Sequence, residues 1–270
     1  MGTRWVTHDN GIAWEASHLL SAAGLCHGVT GRGGGVSIAP CDSLNLALHV
    51  GDDVTAVLEN RRRFCAMVGW ELPRMTTAQQ THEDHVVAVG EAECGSGAGS
   101  YEDALAHTDA LMTNQKQIPL VIFVADCVPV ILFDPLKQVC AVVHDGWRGT
   151  VARLAAKTVF AMTVAYGCRP SDILAYIGPS ISAAHFEVSE ATAGQFRRMS
   201  PAYADCVRET KNILTVDLWQ ANRQLLIDAG LAEKHIDLTE SCVYEDRERF
   251  FSYRRDCSHT GRMAAFVMLT

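Results

Sequence analysis

The strongest constraint on how this chain folds is a set of short, unbroken apolar runs near its middle, at residues 120–124, 130–133 and 139–143. Continuous apolarity over so few residues, bounded by Pro, Asp and Gly, is the pattern of strands buried on both faces. Asp134, Pro135, Leu136 and Lys137 separate the second run from the third and read as the turn of a hairpin. Val86, Val87, Ala88 and Val89 form a further strand of the same kind.

Helical periodicity accounts for the flanking segments. After Asp52 and Asp53, which suit an N-cap, Val54, Val57, Leu58, Phe64, Cys65 and Val68 recur at three- and four-residue spacing. From Thr150 onward, Val151, Leu154, Ala155, Val159, Met162 and Tyr166 make one face, with Gly167 as the stop. A third helix is expected over residues 216–229, stopped by Gly230. The order is therefore mixed, with some hairpins and some strand-to-helix units. Residues 93–100 are linker-like in composition, but chemically promising residues lie on both sides, so they read as a loop within one domain spanning 1–270.

Composition narrows the function classes. The chain has 270 residues, 48% hydrophobic and 20% charged, which excludes disordered, collagen-like and coiled-coil classes. Its apolar stretch at 118–125 ends at Asp126, far short of the roughly 20 residues a membrane helix needs. The first residues carry neither a signal region nor a myristoylation motif, and the ten cysteines include no C-x-x-C pair. A cytoplasmic protein with mostly reduced thiols is expected, with no membrane partner. A net charge of −8 argues against nucleic-acid binding, which needs clustered Lys and Arg, and favours a small-molecule partner.

Common motifs are missing. His82-Glu83-Asp84-His85 lacks the His spacing of a zinc-protease helix, residues 31–35 do not complete a dinucleotide fingerprint, and neither a G-x-S-x-G elbow nor a P-loop occurs. What remains is three segments with reactive residues where apolar strands meet loops: Gln79-Gln80-Thr81-His82, Ala125-Asp126-Cys127-Val128-Pro129 and His144-Asp145-Gly146-Trp147-Arg148-Gly149-Thr150. An antiparallel hairpin about Asp134-Pro135 brings Cys127 and His144 to one end of a sheet. One thiolate and two imidazoles suit a zinc ion with a fourth position open, the arrangement of catalytic sites. Spacing alone leaves the alternative that Cys127 is a small buried hydrophobe. His85, His107, His185, His235 and His259 lack supporting context and are assigned to surface or core.

Gly146 and Gly149 either let a helix N-terminus and Arg148 approach an anion or merely solve a tight turn. Arg32, Arg61, Arg62, Arg254, Arg255 and Arg262 are further anion candidates, although a single arginine is more often solvated surface.

Taken together, several segments resemble the YfiH-type family, long labelled laccase-domain or polyphenol oxidase and now described as purine nucleoside phosphorylase. The matching residues are 27–37, Ser43-Leu44-Asn45-Leu46, Val50-Gly51-Asp52-Asp53 with Glu59-Asn60-Arg61, Gln80-Thr81-His82, Thr108-Asp109-Ala110-Leu111, Ala125-Asp126-Cys127-Val128-Pro129, residues 144–150, Ile177-Gly178-Pro179-Ser180-Ile181 and Phe251-Ser252-Tyr253-Arg254-Arg255. The resemblance implies an α/β (mixed α+β) fold, a layered sandwich of mixed sheets flanked by helices. It implies a zinc site on His82, Cys127 and His144, with copper less favoured. It also implies phosphorolysis of adenosine, inosine, guanosine and methylthioadenosine and deamination of adenosine, the partners being purine nucleosides and phosphate. Asn45 and Arg61 match positions near the family's pocket; for phosphorolysis, Arg148, the helix N-terminus near Thr150 and Arg61 are the expected phosphate holders.

Three positions depart from the family pattern. Asp145 stands where Ala is usual, Phe186 where Tyr is usual, and Val124 where Thr is frequent. A carboxylate at 145 is expected either to orient an imidazole or to alter the charge at the metal. Rival readings are a Cys-His amidase with Cys127 as nucleophile, His144 as base and Asp126 or Asp145 orienting it, and a non-enzymatic protein whose zinc is closed by His49, His85 or Cys140. A copper oxidase fits poorly, because no His-x-His pair occurs.

Overall fold

The computed structural model describes residues 2–270. Five strands, β1 (Thr3–Thr7), β2 (Ala13–Ser17), β3 (Cys26–Thr30), β6 (Leu120–Val124) and β13 (Met263–Met268), form an antiparallel sheet in the order β1-β2-β3-β13-β6. Six others, β4 (Val86–Ala88), β5 (Ala110–Thr113), β7 (Val128–Asp134), β8 (Val139–Asp145), β9 (Leu174–Ile177) and β12 (Ile236–Leu238), form a mixed sheet in the order β12-β9-β7-β8-β5-β4. Only its two outer pairs are parallel. A small ribbon joins β10 (Val207–Thr210) to β11 (Ile213–Val216). The helices are α1 (His18–Ala22), α2 (Val54–Val68), α3 (Trp147–Ala152), α4 (Leu154–Tyr166), α5 (Glu190–Met199), α6 (Pro201–Ala204) and α7 (Leu218–Asp228).

Side-chain alternation along the strands builds the layers. Leu120, Ile122 and Val124 of β6 and Met263, Ala265 and Val267 of β13 meet Ile131, Phe133, Cys140 and Val142 between the two sheets. The opposite faces are covered as well. Val121, Phe123 and Phe266 pack under α2 and the Leu44–Leu46 loop, while Val130, Leu132, Ala141 and Val143 pack under α4, α5 and α7. The architecture is thus a layered sandwich of one antiparallel and one mixed sheet flanked by helices, and it explains why the central strands read as continuously apolar: both faces are core.

Most expected elements form. Asp53 caps α2 by accepting from Thr55 N and Ala56 N, and Gly69 ends it in the left-handed conformation. Asp134 Oδ1 accepts from Leu136 N and Lys137 N, closing the β7–β8 turn. The expected helix from Thr150 starts earlier, at Trp147, and breaks in two at Arg153, which is left-handed with φ 63°. The helix expected over 216–229 begins only at Leu218, because Val216 belongs to β11 and Asp217 is the cap. Residues 93–100 form turns held from beneath by Arg61, whose Nη1 donates to Gly97 O and Ala98 O. None of the helices is long and apolar enough to cross a membrane among the described residues.

His27 of β3 lies in this core and has a measurable consequence. Its Nε2 accepts from Ser17 N and its Nδ1–H donates to Leu25 O, and burial pushes the imidazole down to about 4 from its ordinary 6.5. Between those two values the unfolded chain takes up a proton that the folded chain refuses, so stability is intact above pH 6.5 and is lost as pH falls through 4. Urea unfolding of wild type and His27→Gln across this window should show wild type losing about 3 kcal/mol more, since each tenfold change in proton affinity corresponds to about 1.4 kcal/mol. Parallel pH profiles would contradict this assignment.

Candidate metal centre and its cavity

The β7–β8 register sets the site. Pro129 pairs with His144 and Val128 with Asp145, so Cys127, one residue before β7, lies beside the end of β8. Strand alternation then sends neighbouring side chains to opposite faces. His144 shares the side of Cys140 and Val142, between the sheets, whereas Asp145 shares that of Val143 and reaches α4, where Asp145 Oδ2 accepts from Ala155 N.

His82 arrives from a loop rather than a strand, in a left-handed conformation with φ 60°. Such a backbone is costly for a residue with a side chain and persists only when its surroundings hold it. Here the holder is Asp109, fully buried just before β5. Its carboxylate accepts from Thr81 N at 3.1 Å, His82 N at 3.1 Å and Glu83 N at 2.9 Å, and from His144 Nδ1 at 2.7 Å. One side chain therefore positions both histidines.

The result is a cluster in which a ligand atom of His82, one of Cys127 and one of His144 all lie within 4.8 Å of one another, graded from exposed His82 to buried His144. The two imidazoles meet edge to face at 4.8 Å. Burial by itself raises the Cys127 thiol, but the charge of His144 and hydrogen bonds from both histidines outweigh it and pull the thiol down. In turn the Cys127 charge and the Asp109 carboxylate hold His144 up against burial. An anionic sulfur flanked by two imidazoles, one with Nδ1–H fixed by a carboxylate, is a donor set that can hold a divalent metal.

The cluster floors a cavity of about 470 Å³, within the usual range for small-molecule sites. Arg148, Arg254 and Arg262 line it, together with Phe123, Ile181, Phe186 and Tyr253. Arg254 stacks on Phe186 and Arg262 on Tyr253. Arg148 lies over the Trp147 ring at 4.3 Å. Asn45 and Arg61 are not brought to this surface. Asn45 is occupied by Ala47, Asp52 and the backbone N–H of Arg262, and Arg61 by Leu46 O, Gly97 O and Ala98 O, its guanidinium lying behind Phe123. Both instead contact residues of the cavity wall, Asn45 the backbone of Arg262 and Arg61 the ring of Phe123. Of the other arginines, Arg255 is tied to Val243 O, Tyr244 O, Phe250 O and Asp256, and Arg62 pairs with Glu59 at the exposed surface.

Several expectations change with the geometry. Asp145 does not orient His144, because strand parity turns it to the helix side. Its Oδ1 has no partner, and burial raises the carboxyl to about 7. Asp126 does not orient His144 either: with φ 91°, it accepts from Ser252 Oγ and Arg254 N. The orienting residue is Asp109, present in a quoted motif but given no role from sequence. The two glycines make room for side chains. A Cβ on Gly146 would lie 2.9 Å from Cys127 Sγ, and one on Gly149 would lie 2.7 Å from Asp145 Oδ1. No fourth protein ligand closes the cluster among the described residues. Cys140 lies far along β8 opposite Phe133, His85 bonds to His107 O, and His49 lines the cavity beside Tyr101 and Phe123.

Asp109→Asn keeps the shape but replaces one acceptor oxygen by an amide donor. Loss of a carboxylate behind a metal-ligating His typically costs 10–100-fold in metal affinity. Competition with a chromophoric chelator should show a loss of about that size in the folded variant, and unchanged affinity would remove Asp109 from this role.

Comparison with known proteins identifies the family and the fold. The family model described as multi-copper polyphenol oxidoreductase laccase matches residues 26–270. The purine nucleoside phosphorylase YlmD of Bacillus subtilis is 39% identical over 242 residues, covering 89% of this chain and 87% of that protein. Among solved structures, Bacillus licheniformis YfiH superimposes with a TM-score of 0.93 at 32% identity, covering 98% of this chain and 99% of that one. Geobacillus stearothermophilus YlmD gives 0.92 at 33% identity, with 98% of each chain covered. With a match from residue 26 to residue 270 and a shared fold, the chain belongs to the multi-copper polyphenol oxidoreductase laccase family, whose YfiH-type architecture it has.

Proposed function

We propose that this protein is a zinc-dependent purine nucleoside phosphorylase with adenosine deaminase activity, acting as one domain. The observation that carries the reading is the convergence, in one cavity, of a Cys-His-His cluster with an open side, guanidinium groups and aromatic walls. Relatives bearing the name purine nucleoside phosphorylase support it.

His82, Cys127 and His144 would hold zinc, matching its preference for thiolate and imidazole. When bound, the ion supplies Lewis acidity for an oxygen of water or phosphate at the open side. The chain's own residues do the rest. Arg148 makes no hydrogen bond to the protein among the described residues, so its donors are free for a phosphate, and Arg254 and Arg262 add positive charge on the same surface. Phe123, Phe186 and Tyr253 offer faces on which a purine stacks. Ile181 and Phe186 add apolar surface to the wall. For cleavage of the glycosidic bond, the arginines would hold phosphate against the ribose while the walls fix the base. For deamination, the same walls would present the purine carbon bearing the amine to the cluster.

Two alternatives have structural support to answer. Cys127, His144 and Asp109 also resemble a thiol-nucleophile triad, which would make the protein an amidase. Reversible loss of activity on chelation separates the zinc enzyme from it. The copper implied by the family's description would need many more histidines than the three-ligand cluster provides.

The test is chromatography of adenosine, inosine, guanosine and methylthioadenosine incubated with metal-analysed protein, with and without phosphate. Free base should appear only with phosphate and inosine should appear from adenosine in either case, with both lost in Cys127→Ala. Zinc-loaded protein that leaves all four nucleosides intact would overturn the proposal. Arg148→Ala should raise KM for phosphate about 10-fold with kcat less affected, the scale of a charged hydrogen bond.

A further inference from the structure

A second group of metal-type ligands lies outside the cavity and is independent of the function proposed above. His185, Cys242 and Glu245 each offer a ligand atom, and these atoms lie within 4.8 Å of one another. They come from two turns of chain. His185 closes the turn at 183–185, three residues after Ser182, and Cys242 and Glu245 bracket the turn at 243–245 with the same spacing. A parallel bridge between Ser180 and Cys242 and the bond from Val243 N to Ser180 O hold the two turns side by side.

The surroundings of the sulfur distinguish it from an ordinary buried thiol. Cys94 and Cys206 donate to carbonyls, whereas the Cys242 sulfur accepts a backbone N–H from Ser182 at 3.4 Å. Beside it, Ser182 Oγ is buried with no hydrogen-bond partner, an uncommon state for a hydroxyl unless a polar species lies near. His185 stacks on Tyr244 at 4.4 Å, which fixes the ring, and its Nε2 lies 2.8 Å from Glu245 Oε1. Glu245 is exposed, leaving one side of the group open to solvent. A tetrahedral zinc with Zn–S of about 2.3 Å and Zn–N of about 2.0 Å requires only small side-chain shifts from this arrangement.

We infer that His185, Cys242 and Glu245 form a second zinc site, one that clamps the wall of the cavity. Ile181 and Phe186, at either side of the first turn, line the cavity, and Arg254 reaches back from the far wall to donate to Glu187 O. An ion joining the two turns holds that wall in place without touching substrate.

The experiment is equilibrium dialysis of the full chain against Zn²⁺, with bound metal measured per chain. Wild type should bind two equivalents. Cys127→Ala, His185→Gln and Glu245→Gln should each bind one, and His185→Gln should still respond to Cys127→Ala by losing its remaining ion. Co²⁺ provides a second readout: Cys127→Ala should retain a thiolate-to-metal absorption band that disappears when Cys242→Ser is added. Because His185 and Glu245 are partly or largely exposed, their variants should keep the wild-type fold by circular dichroism. Bound zinc unaffected by His185→Gln and Glu245→Gln, or no thiolate band in Cys127→Ala, would each overturn the inference, whereas a single wild-type equivalent that survives Cys127→Ala and is lost in His185→Gln would fault only the first cluster. None of these results depends on whether nucleosides are turned over.

Discussion

The buried carboxylate of Asp109 holds the site together. It stands just before β5, next to β8 in the sheet, and receives hydrogen bonds from three consecutive backbone N–H groups of a loop and from the His144 ring. Burial opposes its charge, and those donors with the His144 charge more than offset it, keeping the carboxyl below its usual range. Without so many donors, a buried carboxylate would protonate, and the left-handed turn at His82 would lose what holds it. The same carboxylate then fixes which nitrogen of His144 faces the cavity. A loop histidine and a strand histidine are brought to one thiol by a residue that is fully buried and does not line the cavity.

Layering supplies the second constraint. Because β8 has core on both faces, the alternation that carries His144 towards the inter-sheet side carries Asp145 the other way, into the helical layer. Adjacent residues in one motif consequently live in different environments, one wired into the cluster and the other with a carboxylate oxygen left unpartnered. Gly149 yields the space that Asp145 occupies, and Gly146 the space that Cys127 occupies. The motif's glycines serve the side chains facing them across the hairpin and the helix start.

Legibility followed the range of the interactions. Helix α2, with its cap and its glycine stop, and the β7–β8 hairpin were readable because their signals lie within a few residues of each other. Strands β3 and β13 were not, since β3 contains His27 and Gly28 and depends on pairing with β13 more than two hundred residues away. The break at Arg153 was also hidden, because an arginine is no usual carrier of left-handed backbone. Among the arginines, type and motif identified a set but could not rank it. Arg61 and Arg255 spend their donors inside the protein and do not line the cavity, while Arg148, Arg254 and Arg262 line it, the last two also bonding to nearby carbonyls.

Residue identity and local spacing were enough for the chemical inventory: a hairpin that places Cys127 and His144 at one end of a sheet, a third candidate ligand in His82, and motifs sufficient to assign the family. A linear chain states such things directly. The folded chain was needed to establish that Asp109 rather than Asp126 or Asp145 orients the cluster, that Asn45 and Arg61 support the walls instead of lining them, and that His185 meets Cys242 and Glu245. Each of those outcomes turns on which way a side chain points once distant strands have paired, a choice set by sheet register and packing rather than by any residue's neighbours in the chain.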